Sequence, residues 1–287
     1  MASMSGRLSA ESIQHFSNNF LVSILGFPLP YGLNKAAVSI IIGKVNFCLG
    51  GANVFQGFGK EMIPFFLDLR FHNDKSFMDA NRERYLRDVR QPFYDFIGAM
   101  GPGMQQIAED MEVRPAKCLS RINRDTRFSK DKSPYRDHLW VAFRQSGRPN
   151  DGTPFYWFEV SPENVSWGVG IWGESRETMD IMRRRMIAHP DDFLRMLPVL
   201  KKRGFALAGP EWKKMKPPEN LPEVLAPWYL KRSVYAERQG AQLSWIHSPD
   251  IVSRVMEDYT ALAPLYWIFR GCVEEAMNQM DEQGGNV

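Results

Sequence analysis

The side chains best suited to chemistry lie between residues 121 and 138, in the run RINRDTRFSKDKSPYRDH. These eighteen residues include six Lys or Arg, three Asp and one His. Arginine presents a planar fork that binds phosphate or carboxylate through two parallel hydrogen bonds. The segment Ser-x-Asp-Lys-Ser-Pro is typical of a turn, and the free backbone N–H groups of a turn add donors for an anion. The run therefore predicts a phosphate- or carboxylate-binding loop, with the candidate anion-binding residues Arg121, Arg124, Arg127, Lys130, Lys132 and Arg136.

The same charges also allow a purely architectural interpretation. Asp125, Asp131 and Asp137 would then pair with the arginines and pin the loop in a salt-bridge network. Three carboxylates cannot neutralise six cations, and this imbalance favours a small anionic ligand. Both interpretations stay open from the sequence alone.

Four side chains of the run are candidate catalytic residues: His138, Asp125, Asp131 and Tyr135. A histidine exchanges protons near neutral pH, and a tyrosine can donate one. The two carboxylates would orient the arginines. If the protein is an enzyme, the predicted chemistry is hydrolysis or transfer on a phosphorylated small molecule. Carboxylates this close to arginines are usually salt-bridged, so we predict no metal ligand among them.

The segment Gly168-Val-Gly-Ile-Trp-Gly173 spells the G-x-G-x-x-G fingerprint of dinucleotide-binding proteins. That fingerprint requires the glycines in the turn after a strand, within a βαβ unit. Here the first two glycines alternate with apolar residues inside a predicted strand. We therefore expect no cofactor, and we interpret the glycines as places where a backbone, ring or ligand comes close.

Nucleic acid is an alternative partner. Aromatic residues on a sheet, next to basic side chains, can stack the bases of a single strand. Among the aromatic residues on the predicted strands are five Trp or Tyr: Trp140, Tyr156, Trp157, Trp167 and Trp172. The second hypothesis is thus a non-catalytic module that binds nucleic acid or an acidic protein partner.

The elements that must position the run follow an α+β pattern. Apolar residues at helical spacing predict a helix over residues 76–99, a turn at 98–103 and a further helix over 104–111. Period-two patterns predict strands over residues 116–123, 139–144, 155–160 and 165–172. The last two of these strands are predicted to form a hairpin. More helices follow to the end of the chain. We expect an antiparallel sheet of about four to six strands, flanked by N- and C-terminal helices.

The whole chain sets the context. It has 287 residues and a formal net charge of +3, yet residues 114–148 alone hold ten Lys or Arg against three Asp. Three scattered cysteines and the lack of a long apolar window favour a reducing, cytoplasmic setting without a membrane. We interpret residues 1–52 as an extension that is disordered or results from a misassigned start codon. Residues 53–284 would form a single α+β domain.

Several motifs resemble a known family, the bacterial and fungal proteins catalogued as domain of unknown function 2461. They are Phe55-Gln-Gly-Phe58, Asn73-Asp-Lys75, Phe77-x-x-x-Asn81-x-x-x-Tyr85, Pro92, Arg121-Ile-x-Arg-Asp-Thr-Arg-Phe-Ser-x-Asp-Lys-x-Pro-Tyr135 and Leu262-Ala-Pro-Leu265. The resemblance covers about residues 53–275 and departs from the pattern at Ser76, where Trp is expected. It implies no activity, so function has to be argued from the site.

Overall fold

A computed structural model describes residues 55–149, 152–241 and 243–284 of the chain. The prediction for residues 1–52 falls outside these ranges. Within them, no helix has both the length and the apolar character needed to cross a membrane.

A five-stranded antiparallel sheet lies at the centre, and helices flank it on both sides in sequence. The strands in chain order are β1 (Leu139–Arg144), β2 (Pro154–Val160), β3 (Val165–Ile171), β4 (Ala206–Ala208) and β5 (Val234–Ala241). Their order across the sheet is β1-β2-β3-β5-β4. The predicted α+β class and the β2–β3 hairpin are therefore confirmed.

Ten α-helices are found in the described residues. They are α1 (Met62–Phe71), α2 (Lys75–Ala80), α3 (Arg82–Tyr85), α4 (Gln91–Ile107), α5 (Pro115–Cys118), α6 (Arg176–Ala188), α7 (Pro190–Leu194), α8 (Met196–Arg203), α9 (Ala226–Tyr229) and α10 (Asp250–Gly284). A π-helical turn, Leu86–Arg90, joins α3 to α4.

The core forms where α10 and α4 cover one face of the sheet. Tyr156 of β2 and Tyr259 of α10 are both fully buried, with ring centroids 4.6 Å apart. The hydroxyl of Tyr259 donates to the carbonyl of Trp157 at 2.6 Å. Burial of large aromatic side chains supplies most of the stabilisation in such a contact, and the hydrogen bond fixes its register.

The glycines of the G-x-G-x-x-G segment lie inside β3, as expected for a strand and not for a dinucleotide-binding turn. A Cβ at Gly168 would lie 2.5 Å from Cη2 of Trp157 and would also collide with the carbonyl oxygen of Ala236. Glycine at this position therefore lets a ring and a neighbouring strand approach closely.

The strand predicted over residues 116–123 is wrong. Pro115 starts one turn of helix, α5, since its fixed φ suits the first turn. The chain after α5 then makes only isolated bridges, Leu119 to Val141 and Asn123 to Tyr135. Backbone and side-chain bonds between Ser120 and Trp140, at 2.9 and 3.0 Å, complete this contact with β1.

The turn predicted at residues 98–103 is also wrong, because α4 continues through it to Ile107. Two of its glycines lie where other residues approach. A Cβ at Gly101 would lie 3.5 Å from Val113, and one at Gly103 would lie 2.5 Å from the methyl group of Met256. Neither contact requires a glycine, since 3.5 Å is an ordinary contact distance and the Met256 methyl is the end of a flexible side chain. The helix continues because its apolar face, which includes Ile97, Met100 and Met104, is buried, and this burial overrides the local turn pattern.

Candidate anion-binding cleft

One wall of the cleft is a helical face built from α2, α3 and α4. Met78, Arg82 and Tyr85 are spaced four and three residues apart, so they lie on one side of consecutive turns. Arg90 and Tyr94 follow with a spacing of four. These five side chains form a row along a nearly continuous helix.

The π-helical turn keeps that row in phase. Gln91 donates its backbone N–H to Leu86, five residues back, so this turn contains one more residue than an α-helical turn. Pro92 follows directly, and proline has no N–H to continue the regular pattern. Because of this wider turn, Arg90 lies on the same side of the helix as Tyr85. In a regular α-helix, a residue five positions after Tyr85 would lie on a different side.

The facing wall comes from the basic run and the residues just before it. Its lining residues are Ala116, Leu119, Ser120, Arg121, Ile122, Asn123 and Tyr135. Asn123 and Tyr135 bridge each other, and the backbone N–H of Arg136 donates to the carbonyl of Ile122 at 2.8 Å. The wall is thus the base of a hairpin whose two arms are residues 122–124 and 134–136.

The cleft between the walls has a volume of about 290 Å³. Three arginines, three tyrosines and no carboxylate line it. Within the described residues, the side chains of Arg82, Arg90 and Arg121 make no ion pair. The Nε atom of Arg90 is buried without a hydrogen-bond partner there, while its guanidinium lies 5.5 Å from the ring of Tyr94. The three guanidinium charges therefore have no carboxylate partner among the residues that line the cleft.

The tyrosines add donors to the cationic walls. Burial raises the pKa of the Tyr85 phenol to about 12, although the adjacent positive charge of Arg90 acts in the opposite direction. The phenol is therefore protonated at neutral pH and offers an O–H donor. Guanidinium and phenol groups together make a surface of donors, which suits an oxyanion.

Four residues of the predicted loop form local ion pairs. Arg124 pairs with Asp131, and Arg127 pairs with Asp125 at 2.7 Å. Hydrogen bonds from Arg127 lower the pKa of Asp125 to about 2. Hydrogen bonds from Ser133, together with one from Arg124, lower the pKa of Asp131 as well. This part of the run resembles the architectural interpretation, while Arg121 and Tyr135 line the cleft.

The other cations of the run have no carboxylate partner within the described residues. Lys132 donates to the carbonyl of Thr126 at 2.9 Å. Arg136 donates to the carbonyls of Arg121 and Asn123 at 2.9 and 2.6 Å, and burial lowers its pKa. Lys130 is exposed. The predicted charge excess is therefore present, and it is divided between the cleft wall and the loop.

His138 lies outside the lining of the cleft. Its Nδ1 atom lies 3.0 Å from Asp137, whose carboxylate also accepts from Arg70 at 2.5 Å. Burial acts to raise the pKa of Asp137, but the hydrogen bonds from His138 and Arg70 hold it below its usual range. Burial raises the pKa of Glu159, and the nearby His138 opposes that rise. These contacts give His138 a fixed orientation but no cleft-facing role.

Sequence reasoning missed four cleft residues, Arg82, Tyr85, Arg90 and Tyr94. They lie about thirty to forty residues before the basic run, and only folding brings the two segments together. The available signal was Pro92, because a proline inside a helical pattern predicts a disturbed turn. The described residues contain no cluster of three or more His, Cys, Asp or Glu that could hold a metal ion.

The sequence model of the family described as conserved hypothetical protein (DUF2461) matches residues 61–267. The chain belongs to this family. No curated protein matches it. Four of the DUF2461-like motif residues identified in the sequence line the cleft and come from both of its walls: Tyr85, Arg121, Ile122 and Tyr135.

Proposed function

We propose that this protein binds a small anionic molecule, carrying phosphate or carboxylate, in the cleft between the helical face and the hairpin base. Arg82, Arg90 and Arg121 would hold the anion, and Tyr85, Tyr94 and Tyr135 would donate additional hydrogen bonds. The observation that carries this proposal is the composition of the lining, with three guanidinium groups and no carboxylate.

Electrostatics supports this assignment. Like charges that share a cleft repel one another, and solvent screens the half-buried Arg90 less than the exposed Arg82 and Arg121. The arginines of the run that do not line the cleft all have acceptors: Arg124 has Asp131, Arg127 has Asp125, and Arg136 has two backbone carbonyls. A bound anion would give the three cleft arginines the same compensation.

The proposal concerns binding and not a particular reaction. Of the candidate catalytic residues, Tyr135 lines the cleft, whereas His138, Asp125 and Asp131 do not. Hydrolysis or transfer on a phosphorylated molecule would therefore have Tyr135 as its candidate proton donor. A cytoplasmic location also belongs to the proposal, and the free thiols of Cys118 and Cys272 are consistent with it.

The test is a thermal-shift screen of the full chain against inorganic phosphate, phosphomonoesters, acetate and citrate. A ligand at about a hundred times its Kd adds about 2.7 kcal/mol to the free energy of unfolding. For a domain of this size, that should raise the Tm by about 5–10 °C.

Matched arginine variants locate the site. Arg121→Gln and Arg90→Gln should weaken binding about 10- to 100-fold, because each removes a charge-assisted hydrogen bond. Arg148→Gln changes the net charge equally at an exposed position outside the cleft, and it should leave binding unchanged. No Tm increase with any anion, or an equal loss in Arg148→Gln, would refute the proposal.

A further inference from the structure

The hairpin that forms one cleft wall extends into a loop of residues 125–133. Its arms are joined by a hydrogen bond of 2.8 Å from the backbone N–H of Arg124 to the carbonyl of Pro134. Ile122, Asn123 and Tyr135, at the base of these arms, line the cleft. The loop therefore starts and ends at the cleft.

Polar contacts within the loop hold its shape. Asp131 accepts from the backbone and side chain of Ser133 at 2.9 and 2.7 Å, and it pairs with Arg124. Across the loop, Lys132 donates to the carbonyl of Thr126 at 2.9 Å. Such a loop is ordered by its own hydrogen bonds, so it can present a side chain to solvent without packing it.

The side chain presented in this way is Phe128, which is 95% exposed. No other large hydrophobic side chain of the described residues is so exposed; the next is Phe71 at 79%. The guanidinium of Arg127 lies 5.7 Å from the centre of the Phe128 ring. An apolar ring displayed among cations suits a partner that has both a flat apolar face and negative charge.

The charge of the hairpin matches such a partner. Residues 121–136 contain six Lys or Arg and two Asp, a balance of +4 in a chain whose net charge is +3. Arg121 lies at the cleft, while Lys130 and Lys132 lie in the exposed loop. Positive charge therefore extends from the cleft to the loop that carries Phe128.

We propose that the anion bound in the cleft is a phosphate of single-stranded nucleic acid, and that Phe128 stacks on one of its bases. The inference rests on the proposed function, since the cleft supplies the phosphate site. Single-strand binding combines a cationic track for the backbone with aromatic rings for the bases, and this hairpin offers both.

A membrane surface fits these observations less well. Attachment to a bilayer grows with the apolar area that is inserted, and one phenyl ring supplies little of it. The cleft is also sized for a compact group, about 290 Å³, such as one phosphate of a strand that continues past it.

The test measures how tightly the full chain binds two labelled single strands of about 15 nucleotides. One strand is oligodeoxythymidine and the other is oligouridine. At least one of them should bind more tightly than its mononucleotide. Phe128→Ala should weaken strand binding about 5- to 150-fold, because stacking on an aromatic ring is lost. The Tm increase given by inorganic phosphate should not change. Phe71→Ala, a matched loss of an exposed phenyl ring outside the loop, should affect neither measurement.

Salt dependence gives a second measurement. Lys130→Gln and Lys132→Gln should each reduce the slope of log affinity against log salt by about 1, because each removes a phosphate contact. The inference is overturned if both strands bind no better than their mononucleotides or if Phe128→Ala binds them normally. Phe128-dependent capture by vesicles of mixed neutral and anionic phospholipid, without strand binding, overturns it too. Failure of phosphate to bind would count instead against the cleft itself.

Discussion

Asn73 and Tyr135, 62 residues apart in sequence, are joined by two reciprocal hydrogen bonds of 2.9 Å. The side-chain amide of Asn73 donates to the carbonyl of Tyr135 and accepts from its backbone N–H. Asn73 lies just before α2, which begins one wall of the cleft, and Tyr135 belongs to the other wall. This pair therefore fixes the distance between the two walls.

Replacing Asn73 by alanine should lower the free energy of unfolding by about 1–3 kcal/mol, because both backbone groups of Tyr135 lose their partner. Anion binding should weaken as well, since the hairpin base is no longer fixed against the helices. Chemical denaturation and phosphate titration measure the two effects. Wild-type values in both would show that the wall spacing does not depend on this pair.

Two glycine substitutions should have opposite effects on stability. Gly168→Ala should destabilise the protein by about 1–3 kcal/mol or more, because the added methyl group collides with Trp157 and the strand beside it. Gly98→Ala should stabilise it by about 0.5–1 kcal/mol, since Gly98 is an exposed helical position with nothing near its missing Cβ. Thermal unfolding of the two variants distinguishes these signs. Similar Tm values for both would contradict the close packing in β3.

The buried carboxylate of Asp258 organises a second set of cations. It accepts from Trp167 at 2.9 Å, from Arg203 at 3.0 Å and from Arg238 at 3.1 Å. Asp258→Asn should cost about 3–5 kcal/mol, because the arginines keep their charge and lose its partner. The neighbouring Glu257 is exposed, so Glu257→Gln should change stability by less than about 0.5 kcal/mol. Denaturant midpoints of the pair measure the difference.

The pH dependence of stability should contain a contribution from Glu112. Hydrogen bonds from Arg114 lower its pKa from 4.5 to about 2. A carboxyl group with a lowered folded-state pKa contributes stability above its unfolded pKa and loses it as the pH falls. Wild type should thus lose stability between about pH 4.5 and pH 2 more steeply than Glu112→Gln. Glu109→Gln, at an exposed position, serves as the control and should follow wild type.

Local patterns predicted the parts of the fold that depend on local sequence. The β2–β3 hairpin followed from two adjacent period-two patterns, and the glycines of β3 were correctly placed in a strand. Local patterns failed where distant residues decide. Gly103 does not end α4, because the apolar face of the helix stays buried on both sides of it, at Met100 and at Met104. Residues 116–123 have strand-like composition, but Pro115 starts a helical turn there.

The candidate site also contains residues that local sequence could predict and residues that it could not. Arg121 was predicted from the density of cations around it, and it lines the cleft. Arg90 could not be predicted, because its position depends on the wider turn before Pro92 and on a wall formed by another segment. Charge counting also could not distinguish Arg124, which has its own carboxylate, from Arg121, which has none within the described residues.

The edges of the sheet bear on how the protein behaves at high concentration. An open edge strand offers unpaired N–H and C=O groups to another chain, and growth from such edges is a common start of aggregation. At one edge, the bonds from Leu119 and Ser120 occupy part of β1. At the other, β4 has only three residues. A second copy would therefore find little free length on β1 or β4 on which to add a strand, which limits edge-to-edge growth at these two strands.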